Sequence, residues 1–224
     1  MFRIGDPHQL VFDETYYVKD SWSQWLLGFP STWPEGADER FIAGDTDAFT
    51  GVGSYVVHPP LGRLFIGAGM ALLGADSATG WRIAAVVFGT ATVLAMYLLA
   101  KTLTGSLVFA CVASGLLAID GLGIVLSRVS LLDTFLTFFV VLALWFVALD
   151  RRAALARWAA REPREATWGP VFWNRPWLVA AGAAAGAATA VKWSGLYVIA
   201  GIGLYVVITD ALARWRARIT QWPM

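Results

Sequence analysis

Six polar side chains in an otherwise apolar sequence have the chemistry needed to move a proton and to bind a phosphate. A carboxylate can accept the proton of a hydroxyl group and so act as a general base. Arg and Lys can hold a phosphate that leaves, and Arg can do so with a bidentate fork. Such a set suits the transfer of a sugar from a lipid phosphate. The candidates are Asp13, Glu14, His58, Arg128, Asp133 and Lys192.

Each candidate also has an ordinary structural explanation. Asp13 and Glu14 stand where a helix could begin, and the helix dipole favours acids there. His58 precedes two prolines and could belong to a rigid turn that leads into a helix. Ser130 and Asp133 have the spacing of a capping box, with Ser130 as the N-cap.

The two cations can be explained in the same way. Arg128 would end a helix, where the dipole favours a positive charge. Lys192 also ends a helix and could extend its ammonium group to the membrane interface. Each explanation is sufficient for one residue. A functional site is indicated only if the six residues meet on one side of the protein.

The rest of the sequence is apolar enough to form the membrane-spanning helices that would hold these residues. Of the 224 residues, 58% are hydrophobic and the mean hydropathy is +0.60, whereas soluble domains have about 45–50% apolar residues. Uncharged stretches of 16 to 18 residues approach the roughly 20 residues that cross a bilayer. Buried helices of a large soluble core are the alternative. We predict an all-α polytopic membrane protein with spans at about 82–101, 105–126, 130–149, 177–192 and 194–210.

Residues 1–80 precede these spans and differ from them in composition. Residues 1–60 hold nine acids and three bases, and their prolines and glycines interrupt regular structure. Glu14–Leu27 favours a helix whose Tyr and Trp residues are of the types enriched at membrane interfaces. The apolar run Leu64–Leu73 is too short to cross a bilayer unaided. We predict that it forms a second interfacial helix, which Gly74 ends.

Arginine-rich connections set the expected orientation in the membrane. The linker 150–176 carries six arginines against three acids, and the tail 213–224 carries three more arginines. Short basic connections remain in the cytoplasm, so we place both segments inside and residues 1–80 outside. All six candidates then fall at or near the outer interface, where a cluster of ionisable groups predicts a functional site.

This orientation requires a membrane span ahead of residue 1. Residues 1–20 have no apolar core and therefore do not form a signal peptide. We expect an earlier span, and further spans after the basic tail, to be missing from this sequence.

Four motifs, taken in order, resemble the protein O-mannosyltransferase family in its actinobacterial form. An Asp-Glu pair alone is weak evidence, whereas four ordered motifs along nearly the whole chain are specific. The family belongs to the GT-C superfamily of polytopic glycosyltransferases. The resemblance therefore implies a GT-C type transmembrane helix bundle with interfacial helices on an extracytoplasmic first loop. The motifs are Phe12–Asp20, Val57–Arg63, Arg128 with Leu131–Asp133, and Lys192–Gly195.

The resemblance implies an inverting transfer of mannose from polyprenyl-phosphate mannose to Ser or Thr of exported proteins, at the plasma membrane. By position in the motifs, Asp13 is expected to be the catalytic base and Glu14 its partner. Arg128 resembles an arginine that binds phosphate or organises the active site. His58 lies in the second loop motif and, with Asp133, is assigned to active-site organisation. We expect Lys192 to contact the donor phosphate because of its place at the outer interface.

Other functions stay open on the residues alone. A GT-C relative that passes a sugar to a lipid or glycan would share the Asp base. A transporter module would place its charges near the bilayer midplane, whereas these lie at span ends. The net charge of +1 implies no steering toward nucleic acid.

The need for a metal is also left open. A related lipid-A aminoarabinose transferase type can use a divalent metal between carboxylates, and Asp13 and Asp133 could serve in that way. The acids and histidines have no diagnostic metal spacing, so we assign no metal site.

Overall fold

The computed structural model describes residues 3–160 and 174–216. Within these ranges the chain contains helices and no β-strand, apart from one isolated antiparallel bridge between Ser31 and Gly53. The predicted all-α class is confirmed. The helices are α1 (Glu14–Leu27), α2 (Ala37–Ile42), α3 (Leu61–Leu73), α4 (Ala78–Thr104), α5 (Leu107–Ile119), α6 (Gly121–Leu126), α7 (Leu132–Ala159), α8 (Pro176–Val191) and α9 (Gly195–Arg216).

Three helices in the described ranges, α4, α7 and α9, are long and apolar enough to cross a membrane. The helices α5 and α8 are apolar but shorter. The largest difference from the predicted bounds is in α7, which continues to Ala159 instead of ending at residue 149. Part of the predicted linker 150–176 is therefore helical. Three arginines used to orient the chain, Arg161, Arg164 and Arg218, lie outside the described residues.

The predicted span over 105–126 is not one continuous helix. It is divided at Asp120, whose backbone is extended with ψ of 123°. The carboxylate of Asp120 accepts a hydrogen bond from the backbone N–H of Gly123 at 2.6 Å. An acid that bonds a first-turn N–H in this way is an N-cap, so Asp120 begins the new helix α6 within an apolar stretch.

Both helices predicted in residues 1–80 are present. The bounds of α1 agree with the prediction, and α3 begins three residues earlier than expected. Gly74 ends α3 with φ of 98°, a conformation that favours glycine. The short helix α2 was not predicted, since its six residues span too few turns to show a periodic pattern.

Helix α3 packs closely against α1, α4, α7 and α8. The ring of Phe65 lies 4.6 Å from that of Phe88 in α4 and 5.5 Å from that of Phe135 in α7. A Cβ atom at Gly62 would lie 2.6 Å from a methyl group of Leu132 in α7, and one at Gly67 would lie 2.9 Å from a backbone oxygen of α1. Glycine at these two positions permits the close approach.

The far end of α7 is held by a charged cluster of three residues. Arg175, just before α8, donates from Nε to Asp150 of α7 at 3.1 Å and from Nη1 to Asp210 of α9. Asp150 is buried, so its charge needs this partner. With about 1.5 Å of rise per residue, Asp150 lies roughly 26 Å along α7 from Asp133. The cluster therefore joins α7, α8 and α9 at the end opposite the candidate site.

Candidate active site

Glu14 is completely buried and its carboxylate is fully hydrogen-bonded. Oε1 accepts from Nε of Arg82 and from the backbone N–H of Ser130, both at 2.9 Å. Oε2 accepts from Nη2 of Arg82 at 2.8 Å and from the backbone N–H of Val11 at 2.9 Å. A carboxylate offers about four acceptor positions, so Glu14 has none left for a substrate.

Arg82, at the start of α4, is a site residue that the sequence analysis did not identify. Its side chain is buried and all five N–H donors are used. Besides its bonds to Glu14, it donates to the backbone oxygens of Ile4, Pro7 and Gln9 at 2.8 to 3.2 Å. In the sequence Arg82 marks only the edge of an apolar window, because its partners lie up to 78 positions away.

Asp13 precedes α1, and within the described residues its carboxylate makes no capping hydrogen bond. The helix-start explanation holds for this position, because the helix dipole favours acids in the first turn and α1 begins at Glu14, directly after Asp13. Phe12 before it has φ of 55°, which is uncommon for a residue with a bulky side chain. The strained backbone thus places two adjacent acids differently, with Glu14 buried and Asp13 only half-buried.

Asp133 and Lys192 form an ion pair between the start of α7 and the end of α8. Nζ of Lys192 lies 2.8 and 2.9 Å from the two carboxylate oxygens of Asp133. The predicted capping box is wrong: Leu131 precedes α7 without a capping bond, and the Ser130 hydroxyl donates to the backbone oxygen of Trp81. The side chain of Asp133 is 43% exposed, so the pair is open to solvent on that side.

His58 belongs to the same group of residues. Its ring centroid lies 6.4 Å from that of Tyr17 in α1. Burial and the positive charge of Lys192 lower the pKa of His58, so the imidazole is neutral at pH 7. Burial and the negative charges of Asp13 and Asp133 raise the pKa of Tyr17. Asp13 and Asp133 act on the pKa of both rings, so these two carboxylates lie on the same side of the protein as His58 and Tyr17.

Arg63 supports this group from the first turn of α3. Its Nη2 donates to the backbone oxygen of His58 at 3.0 Å, and its Nε donates to Oε1 of Gln24 at 2.8 Å. Burial raises the pKa of the nearby Asp20 to about 6, although the charge of Arg63 acts in the opposite direction. Arg63 lies in one of the four sequence motifs, but nothing in its spacing from Asp20 or Gln24 indicated this network.

Arg128 follows α6 at the edge of the site. Its Nη2 donates one hydrogen bond of 3.3 Å to the backbone oxygen of Arg3, and within the described ranges it forms no ion pair. Two residues further on, the backbone N–H of Ser130 binds Glu14, which places Arg128 beside the segment that carries Asp13. A partly exposed guanidinium with one hydrogen bond is available to bind an anion.

The structure therefore pairs Asp133 with Lys192 and brings Asp13 and Asp133 within electrostatic range of His58. Glu14 is buried, and Arg128 lies two residues before Ser130, whose backbone N–H binds Glu14. In the part of the chain that is described, no group of three or more His, Cys, Asp or Glu side chains could hold a metal ion.

This fold and site define a class of protein: a helical membrane protein whose ionisable groups gather at the ends of its apolar helices. The chain belongs to the dolichyl-phosphate-mannose-protein mannosyltransferase family, whose model matches residues 74–222. The resemblance inferred from the four motifs is confirmed, and with it the GT-C type polytopic membrane fold.

Several curated proteins are similar over almost the whole chain. A polyprenol-phosphate-mannose–protein mannosyltransferase of Corynebacterium glutamicum is 34% identical over 95% of this chain, and one of Mycobacterium tuberculosis is 36% identical over 97%. The dolichyl-phosphate-mannose–protein mannosyltransferase 6 of Candida albicans is 29% identical over 93%. The chain spans 39% of the length of the two bacterial relatives and 23% of the yeast protein.

The adjacent acids should differ in their effects on stability. Glu14→Gln leaves the buried charge of Arg82 uncompensated, and breaking such a pair costs about 3–5 kcal/mol. Asp13→Asn should change the free energy of unfolding by less than about 0.5 kcal/mol, as at a site without such contacts. Unfolding of each variant in detergent measures the two free-energy changes, and proteolysis within residues 3–13 shows whether that segment has been released. Equal destabilisation would show that the buried and open carboxylates are wrongly assigned.

The pH dependence of stability should report Asp20. Its pKa is about 6 in the folded protein, above the ordinary Asp value of 3.8, so the folded state binds the proton more tightly. Protonated Asp20 therefore contributes to the free energy of unfolding. This contribution is fully present below about pH 4 and is lost as the pH rises through about 6. Asp20→Asn should lack this component, whereas Glu35→Gln, at an exposed acid, should retain it. Identical pH profiles for wild type and Asp20→Asn would contradict the assignment.

Proposed function

We propose that this protein transfers mannose from polyprenyl-phosphate mannose to Ser or Thr hydroxyls of exported proteins, on the extracytoplasmic side of the plasma membrane. The supporting observation is that Asp13, whose carboxylate makes no capping hydrogen bond among the described residues, and Lys192, which is paired with Asp133, both act electrostatically on His58 in a member of this family. The bacterial relatives carry this donor and a protein acceptor in their names.

In this reaction Asp13 is the general base. Its carboxylate removes the proton of the acceptor hydroxyl while that oxygen attacks C1 of mannose. The bond between C1 and the phosphate oxygen breaks, and polyprenyl phosphate leaves with the electron pair. A single displacement inverts the configuration at C1. Asp13 suits this role because, among the described residues, it is the acid of the Asp-Glu pair whose oxygens accept no hydrogen bond.

The leaving phosphate needs positive charge close to the base. Lys192 can provide it from the end of α8, where Asp133 holds its ammonium group at 2.8 Å. Arg128 can provide a second cation, since its guanidinium has one hydrogen bond and can bind phosphate oxygens with a bidentate fork. The neutral imidazole of His58 adds a hydrogen-bonding group without adding charge.

Glu14, expected from the sequence to be a catalytic partner, is proposed instead as a positioning residue. Its four hydrogen bonds fix the backbone that presents Asp13. Arg82 shares this role because it joins Glu14 to the segment 4–9.

Transfer of labelled mannose tests the proposal. Membranes containing this protein should transfer mannose from polyprenyl-phosphate mannose to a Thr-containing peptide. Asp13→Asn should reduce the rate about 10²–10⁴-fold, the usual contribution of a general base, while the protein stays folded. Asp120→Asn is a control, since that acid caps α6 and Asn caps a helix as well as Asp does.

The outcomes separate the alternatives. Near wild-type activity in Asp13→Asn would refute the base assignment. Transfer to a lipid or glycan but not to a peptide would discard the protein acceptor and keep the sugar-transfer chemistry. No transfer to any acceptor by a folded, inserted protein would contradict the proposed function.

A further inference from the structure

The segment 53–57, between α2 and α3, presents an unpaired backbone edge. Gly53 forms an antiparallel bridge with the segment 30–32. On either side of it, the backbone oxygen of Val52 accepts from the N–H of Thr32 at 2.8 Å, and the N–H of Ser54 donates to the backbone oxygen of Pro30 at 2.9 Å. Because successive residues of an extended chain direct their backbone groups to opposite sides, we expect those of Gly53 and Tyr55 to face away from the segment 30–32.

These outward backbone groups have no partner among the described residues. Neither the N–H nor the C=O of Gly53 or Tyr55 takes part in a hydrogen bond there. The side chain of Tyr55 is 91% exposed and that of Val57 is 63% exposed. By contrast, Trp33, in the loop before α2, packs edge-on against Phe41 at 5.6 Å. Tyr55 is thus an unpacked ring on an open strand edge.

The edge is fixed to the candidate active site at one end. Nε1 of Trp193 donates to the backbone oxygen of Val57 at 3.0 Å. Trp193 follows Lys192 directly, and Val57 precedes His58. A strand advances about 3.3 Å per residue, so Tyr55 lies within roughly 10 Å of His58 along the chain. A ligand on this edge would therefore reach the site.

We infer that an extended stretch of the acceptor polypeptide pairs with the edge at Gly53 and Tyr55 as an added strand. Unpaired N–H and C=O groups in a row are complementary to another extended backbone, the basis of recognition by β-strand addition. The exposed side chains of Tyr55 and Val57 would contact alternate acceptor residues. Backbone pairing does not depend on the acceptor side chains, so it can bind many sequences. It also fixes the register of the acceptor so that a hydroxyl group lies at Asp13. This inference rests on the proposed function, because it needs a polypeptide acceptor.

Backbone methylation of the acceptor tests the pairing. A peptide of ten residues with a single Thr is prepared in versions that carry one N-methyl group at each position in turn. The oxygens of Gly53 and Tyr55 can accept from two N–H groups of the peptide, so methylation at two positions that lie two residues apart should lower kcat/KM about tenfold, as expected for a lost hydrogen bond. Methylation at the position between them should have little effect. Losses without a two-residue period would overturn the inference.

Variants of the protein test the same contact from the other side. Tyr55→Pro removes the outward N–H, whereas Tyr55→Ala removes the ring and keeps that N–H. Tyr55→Pro should raise the KM for the peptide more than Tyr55→Ala does, with the KM for the lipid donor and the melting temperature unchanged. Equal effects of the two variants would contradict backbone pairing.

Cross-linking gives a readout that does not depend on turnover. Tyr55→Cys in a Cys111→Ala background should form a disulfide with a Cys-containing acceptor peptide, and excess unlabelled peptide should suppress it. Transfer without this cross-link and without the methylation pattern would overturn the inference while leaving the proposed function intact. Failure of transfer to every unmodified peptide would overturn both. A photo-reactive group at position 55 that labels only lipid would place this edge on the membrane surface and refute the inference.

Discussion

The buried ion pair between Glu14 and Arg82 holds together the part of the structure in which the candidate active site lies. Burying two charges is costly unless each is fully hydrogen-bonded, and here all four acceptor positions and all five donors are used. The pair joins the segment 4–9, the start of α1, the start of α4 and the chain before α7. These segments are far apart in sequence, so their relative position depends on this contact.

The pair also explains how two adjacent acids can have different roles. Glu14 is directed inward and is enclosed, which leaves Asp13 at the strained turn after Phe12 with its carboxylate uncommitted. The ion pair of Asp133 and Lys192 adds a cation at the same end of α7. The Arg175 cluster holds the other end of α7, so the helices are fixed at both ends and ionisable groups suited to sugar transfer gather at one.

Sequence reasoning succeeded where a property is local. Uncharged windows predicted the apolar helices, and the bounds of α1 were correct because Gly28 ends it with a positive φ. It failed where a side chain has a distant partner. The spacing of Ser130 and Asp133 favoured a capping box, but Asp133 pairs with Lys192, 59 positions away. The burial of Glu14 depends on Arg82, 68 positions away, which no local pattern encodes.

The division of roles between Asp13 and Glu14 can be tested with a structure of the membrane-embedded protein that has polyprenyl phosphate bound. We expect the phosphate within hydrogen-bonding distance of Lys192 and Arg128, the carboxylate of Asp13 open toward it, and the contact of Glu14 with Arg82 unchanged. A phosphate bound elsewhere, or a Glu14 released from Arg82 and directed at the lipid, would contradict the division of roles between the two acids.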